Sequence, residues 1–135
     1  MAFVLAFSTV GCGSSDTNAA EPATFTEIFP LVFPRATHAQ CSFCHGLPPN
    51  EKSNGGLSTG ADRAAAYAAL LGPASTSAKC GGQSYVVPGK PEQSLLLSKV
   101  SGAPCGDRMP LGGGGLPANQ IEMIRSWIAA GAKDD

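Results

Sequence analysis

The chain has little charge and few aromatic rings. Asp, Glu, Lys and Arg make up 14% of its 135 residues, and Phe, Tyr and Trp only 7%. Nine basic residues stand against ten acidic ones, so there is no basic excess of the kind a nucleic-acid-binding domain presents. It has two His, and neither a second Cys-x-x-Cys nor a His-x-x-x-His, which leaves a four-ligand zinc site without its usual spacing. The apolar run Met1 to Val10 is too short to cross a bilayer. Glycine and proline are abundant instead, at 17 and 11 residues. A chain of single-domain length with that many turn formers is loop-rich, and its small core needs a staple beyond ordinary packing.

One pentapeptide supplies a candidate staple. Cys41-Ser42-Phe43-Cys44-His45 spells Cys-x-x-Cys-His, the pattern of covalent c-type haem attachment. Two thiols at that spacing can add to the two vinyl groups of one porphyrin, and the adjoining His is placed to ligate the iron. Competing readings are half of a zinc site and a thioredoxin-like redox pair. The first lacks a second half, and the second requires a strand, motif and helix in a βαβ setting, whereas the surroundings here are helical and loopy.

The remaining cysteines divide by position. Cys12 closes the N-terminal apolar segment, leaving Cys80 and Cys105 as an even pair, which in an exported protein points to a disulfide. Residues 1–12 suit a signal-peptide apolar region ending in Thr9-Val10-Gly11-Cys12, which resembles a bacterial lipobox with Cys12 as the lipidated residue. No Lys or Arg precedes the apolar run, and Thr9 stands where Leu is usual. A plain cleaved signal is the alternative, and both readings export the protein. Residues 13–23 are small and polar, a flexible tether. Residues 24–135 form the expected domain.

Within that domain, Thr24 and Glu27 make a capping-box pattern ahead of Phe25, Ile28, Phe29 and Val32 at helical spacing. Pro30 is expected to kink or end this helix, and Pro34 disfavours helix at Phe33. After His45, the turn-rich stretch Pro48 to Leu57 is expected to supply a backbone carbonyl to the second ring nitrogen of His45. Asp62 to Leu71 reads as a helix stopped by Gly72-Pro73, with Tyr67, Leu70 and Leu71 inward. Tyr85 to Val87 reads as extended and Pro88-Gly89 as a turn. Glu92 to Val100, with Leu95, Leu96 and Leu97, reads as a further helix. Pro117, Ile121, Ile124, Trp127, Ile128 and the stop signal Gly131 define an amphipathic last helix, with Trp127 packing on the first one.

Between these helices, Cys105-Gly106-Asp107-Arg108-Met109-Pro110-Leu111 leads into four glycines. Such a segment cannot form a core of its own, but it can pass closely over a flat cofactor. Met109 is the Met of an irregular segment, and its thioether is a natural sixth ligand of an iron. A gap-filling core role is the bland alternative. Met123, inside a helix, and His38, three residues before Cys41, are the rivals.

Together these residues resemble a class I-type c-type cytochrome domain, similar to the short monohaem cytochromes of exported bacterial lipoproteins. The resemblance rests on Cys41 to His45, on Pro88 to Leu96 with Ser94 and Leu95, on Met109-Pro110, and on the ending Trp127 to Ala132. It implies an all-α, loop-rich, small cytochrome c-like fold around one covalent haem c, with first and last helices crossing. It also implies Cys41 and Cys44 as attachment residues and His45 and Met109 as axial iron ligands. The Cys80 and Cys105 pairing is not part of it. The function implied is one-electron transfer outside the cytoplasm rather than enzyme catalysis, with transient donor and acceptor proteins as partners and the membrane reached through a lipid anchor. A haem enzyme of peroxidase type, or a haem sensor with a displaceable sixth ligand, is the alternative; once His45 is committed, only His38 remains as a histidine acid or base.

Overall fold

Thr24 starts the folded body by satisfying helix donors that would otherwise have no partner. Its side chain accepts from the Glu27 N–H, and the Glu27 carboxylate accepts from the Thr24 N–H at 2.8 Å, so both halves of the capping box form. The helix that follows, α1 (Phe25–Val32), buries Phe25, Ile28 and Val32. The structure, a computed structural model, describes residues 20–34, 40–46, 55–60, 62–102, 105–112 and 114–135.

Every regular element among the described residues is helical: after α1 come α2 (Cys41–His45), α3 (Arg63–Leu71), a 3₁₀ turn (Pro91–Gln93), α4 (Leu95–Ser101) and α5 (Ala118–Ala129). The expected all-α class is thus observed. Two expectations need correcting. Pro30 does not end α1; it is accommodated on the exposed side, and the helix stops at Val32, just before Phe33-Pro34. The helix expected over Glu92 to Val100 is split at Ser94, whose backbone is extended. The buried Ser94 hydroxyl accepts from the Val87 N–H and donates to the Lys90 carbonyl. It closes the Val87–Lys90 turn, where Gly89 takes a positive φ of 75°, and that local bonding competes with helix at this position.

α3 is capped by Asp62, which accepts from the Ala65 N–H at 2.9 Å. It buries Ala66 and Leu70, with Tyr67 and Leu71 partly covered. The core lies where α1 and α4 pack on α5 and α3 leans on α1. Its centre is aromatic: Phe25 stacks on Trp127 at 5.0 Å between ring centroids and meets Tyr67 edge-on at 5.5 Å. Phe33 joins the same cluster at 5.7 Å from Phe25, and burying such rings contributes more than their area alone suggests. The Trp127 indole N–H donates to the Lys133 carbonyl and the Tyr67 hydroxyl to the Ala132 carbonyl, so neither polar tip is stranded.

The two ends of the body are tied together. The Phe25 N–H donates to the Asp135 carboxylate and the Thr26 N–H to the Asp135 backbone carbonyl, while Ala23 reaches Ser126. Cys80 and Cys105 form a disulfide across 25 positions of sequence. It joins the loop after α3 to the segment that follows α4.

Candidate functional site

α2 is one turn of helix, and the spacing of its residues gives each a different exposure. Cys44 is exposed, Cys41 and His45 are half-buried, and Ser42 is buried. Cys41 and Cys44 are both free thiols, while Cys80 and Cys105 are bridged. Burial pushes the Cys41 thiol up to about 12, against a smaller opposing pull from backbone hydrogen bonding.

Buried hydrogen bonds hold the turn in place from both sides. The Ser42 N–H donates to the Phe33 carbonyl at 2.9 Å, tying α2 to the end of α1. The Ser42 and Thr59 hydroxyls lie 2.7 Å apart, both residues being almost fully buried at 3% and 0% exposure. Thr59 also donates twice to the His45 carbonyl, from its N–H at 2.6 Å and from its hydroxyl at 3.2 Å. Gly46 follows because a Cβ there would run into the Ser42 carbonyl and the carbonyl of Gly60.

The His45 ring has its own support. Nδ1 lies 3.4 Å from the Leu57 carbonyl, a long hydrogen-bond distance, and a carbonyl can only accept. This contact favours the tautomer with the proton on Nδ1 and leaves the Nε2 lone pair available. Leu57 falls in the stretch from which a supporting carbonyl is expected. Burial lowers the His45 pKa; the Leu57 contact opposes this, and the Lys99 ammonium adds to it. The imidazole is therefore neutral at pH 7, as a metal ligand must be.

The Lys99 backbone carbonyl accepts the Met109 N–H at 2.8 Å. Met109 is half-buried in an irregular segment, preceding Pro110 through a cis peptide bond. The rival Met123 is half-buried within α5 and packs on the hydrophobic core. His38 and Cys12 lie outside the described residues.

Among the described residues no group of three or more His, Cys, Asp or Glu side chains gathers to hold a metal ion. A porphyrin iron asks less of the protein, namely one or two axial donors and, for c-type attachment, two thiols. Free Cys41 and Cys44, neutral His45 supported at Nδ1, and the Met109 thioether suit that requirement. A cavity of 230 Å³ lies elsewhere, lined by Glu21, Thr24, Trp127, Lys133 and Asp135 among others, and none of the four candidate residues lines it. No helix among the described residues is long and apolar enough to cross a membrane.

Sequence reasoning missed Ser42, Thr59 and Lys99. Ser42 was in view as a spacer of the motif, but its partner is 17 residues away and nothing local marks it. Lys99 carries the only available hint, a basic residue in the last turn of a helix. Compared with protein-family models, curated proteins and solved structures, the chain matches none.

Proposed function

We propose that this protein is a one-electron carrier of the monohaem cytochrome c kind, exported from the cytoplasm and holding haem c through Cys41, Cys44, His45 and Met109. The observation that carries the reading is the Cys41-x-x-Cys44-His45 turn itself, with both thiols free and the His45 ring supported at Nδ1 by the Leu57 carbonyl. When bound, the haem supplies an iron that takes up and gives back one electron.

The chain's residues have separable tasks. The free Cys41 and Cys44 thiols would hold the group covalently, each by addition of S–H across a vinyl double bond, which balances with no leaving group and no external oxidant. His45 would offer its Nε2 lone pair, with the Nδ1 proton directed at the Leu57 carbonyl. Met109 would offer its thioether as the other protein donor, a ligand type that raises the reduction potential. A metal held by both His45 and Met109 would leave no position for a substrate, which suits passing electrons between transient protein partners. The Cys80–Cys105 disulfide supports export, since such bonds persist in oxidising compartments. Cys12 is the lipid-bearing residue of the membrane anchor.

The test is expression of the full chain in an exporting host with cytochrome c maturation. The product should keep its haem through denaturing acid and organic extraction, and its ferrous form should bind carbon monoxide slowly. Extractable haem sinks the attachment, and prompt carbon monoxide binding sinks the closed electron-carrier reading in favour of an open haem site. Cys12→Ser should release the protein from membranes; unchanged fractionation rules out the anchor.

A further inference from the structure

The hydrogen bonds around the end of α4 converge on the segment that carries Met109. Lys99 and Val100 lie in the last turn of that helix, where backbone carbonyls have no helical partner. The Lys99 carbonyl takes the Met109 N–H at 2.8 Å, and the Val100 carbonyl takes Arg108 Nε at 3.2 Å. The Lys99 ammonium turns back on the same segment. It donates to the Cys105 carbonyl at 2.9 Å and to the Asp107 carbonyl. Two carbonyls separated by one residue can face one ammonium because Gly106 between them has a φ of +63°, a conformation that costs other residues more. A Cβ on Gly106 would lie 3.3 Å from Lys99 Nζ. Lys99 thus grips residues 105, 107 and 109 with its side chain and backbone together.

We infer that Lys99 is a positioning residue for Met109: its ammonium, wrapped by Cys105, Gly106 and Asp107, fixes the segment so that the thioether is held in place as the second iron ligand. This rests on the proposed Met109 ligation and goes beyond it, because it assigns the holding of that ligand to a residue that itself touches no cofactor. A four-carbon stem ending in a three-donor cation is suited to the task. It can stay half-covered by the loop it organises while its charge is spread over two carbonyl dipoles.

The test uses the full haem-loaded protein and four variants. Met109→Ala is the reference for an open site and should bind carbon monoxide promptly in the ferrous form. Lys99→Leu removes the ammonium without offering a new donor to the iron, and Gly106→Ala disturbs the same grip from the loop side. Both should weaken the oxidised protein's thioether-to-iron absorption band and speed carbon monoxide binding at least tenfold over the unmodified chain. Lys99→Arg, which keeps a cation with several donors, should stay within about twofold of it. If Lys99→Leu and Gly106→Ala keep the original band and rate while Met109→Ala opens the site, Lys99 has no positioning role. If Met109→Ala itself changes nothing, the ligand assignment is wrong and the inference falls with it. A measurement on the unmodified protein is independent of variant folding: the Met109 amide should exchange with solvent as slowly as the amides of α4. Exchange at the rate of an unstructured chain overturns the proposal.

Discussion

Replacing Thr59 by Val changes the support of the Cys41–His45 turn while keeping side-chain volume. The Thr59 hydroxyl has two neighbours, the His45 carbonyl at 3.2 Å and the Ser42 hydroxyl at 2.7 Å. Loss of the bond to His45 costs about 1 kcal/mol, because the carbonyl keeps the Thr59 N–H as a second donor. The Ser42 hydroxyl is the larger concern: at 3% residue exposure it has no ready access to water, and stranding such a group costs about 1–3 kcal/mol. The single variant should therefore lose about 2–4 kcal/mol. Ser42→Ala alone should lose only about 1 kcal/mol, since Thr59 still has His45 as acceptor. In the double variant nothing polar remains stranded. Its loss should fall short of the sum of the singles by about 1–3 kcal/mol, the range for directly coupled side chains. Urea unfolding of all four proteins closes the cycle. Additive losses, within about 0.5 kcal/mol, would refute the idea that the two hydroxyls form one buried unit holding the motif.

Removing the disulfide with Cys80→Ser and Cys105→Ser should cost about 3.5 kcal/mol by the chain-entropy relation for a 25-residue separation; a loss under about 1 kcal/mol in denaturant unfolding would contradict that. The Thr24 N–H, and then the Thr24 hydroxyl, hold the Glu27 carboxyl below its ordinary value of 4.5. A depressed carboxylate contributes stability above that value and loses it as pH falls through the lower folded value. Melting curves should therefore show Glu27→Gln and the parent converging as pH drops below 4.5, and a constant gap would rule the cap out as the source. Phe25→Ala empties the centre of the aromatic cluster, where exposure is 0%, and should cost about 3–5 kcal/mol in the same unfolding assay. Near-native stability would mean the α1–α5 stack is not the core.

The parts of the fold legible in the sequence were those written locally. Thr24 with Glu27, Asp62 with the alanine-rich run behind it, and the spacing of Ile124, Trp127 and Ile128 each act within a turn or two of chain, and each is where it was expected. Pro30 misled because a missing N–H is tolerated on the exposed side of a helix held by its apolar face. Ser94 misled because its hydroxyl serves a turn that begins seven residues earlier. At the candidate site the region of the Leu57 carbonyl was readable. The supports were not: Thr59 meets His45 across 14 positions, and Lys99 meets Asp107 only after the chain has bent at Gly106. Those pairings are set by tertiary approach, and no periodicity records them.

The stack of Phe25 on Trp127 also sets an order of events in time. A chain threaded outward N-terminus first would present Phe25, then Cys41, Cys44 and His45, long before Trp127 and Asp135 emerge. Until those last residues arrive, α1 lacks both its stacking partner and the Asp135 groups that meet its first N–H donors, and closing a loop of that length is entropically slow. The Cys41 thiol, which the finished body half-covers, would be more open before that closure. The last stretch of the chain thus acts as a clasp on the first helix, completing its cap and its stack together.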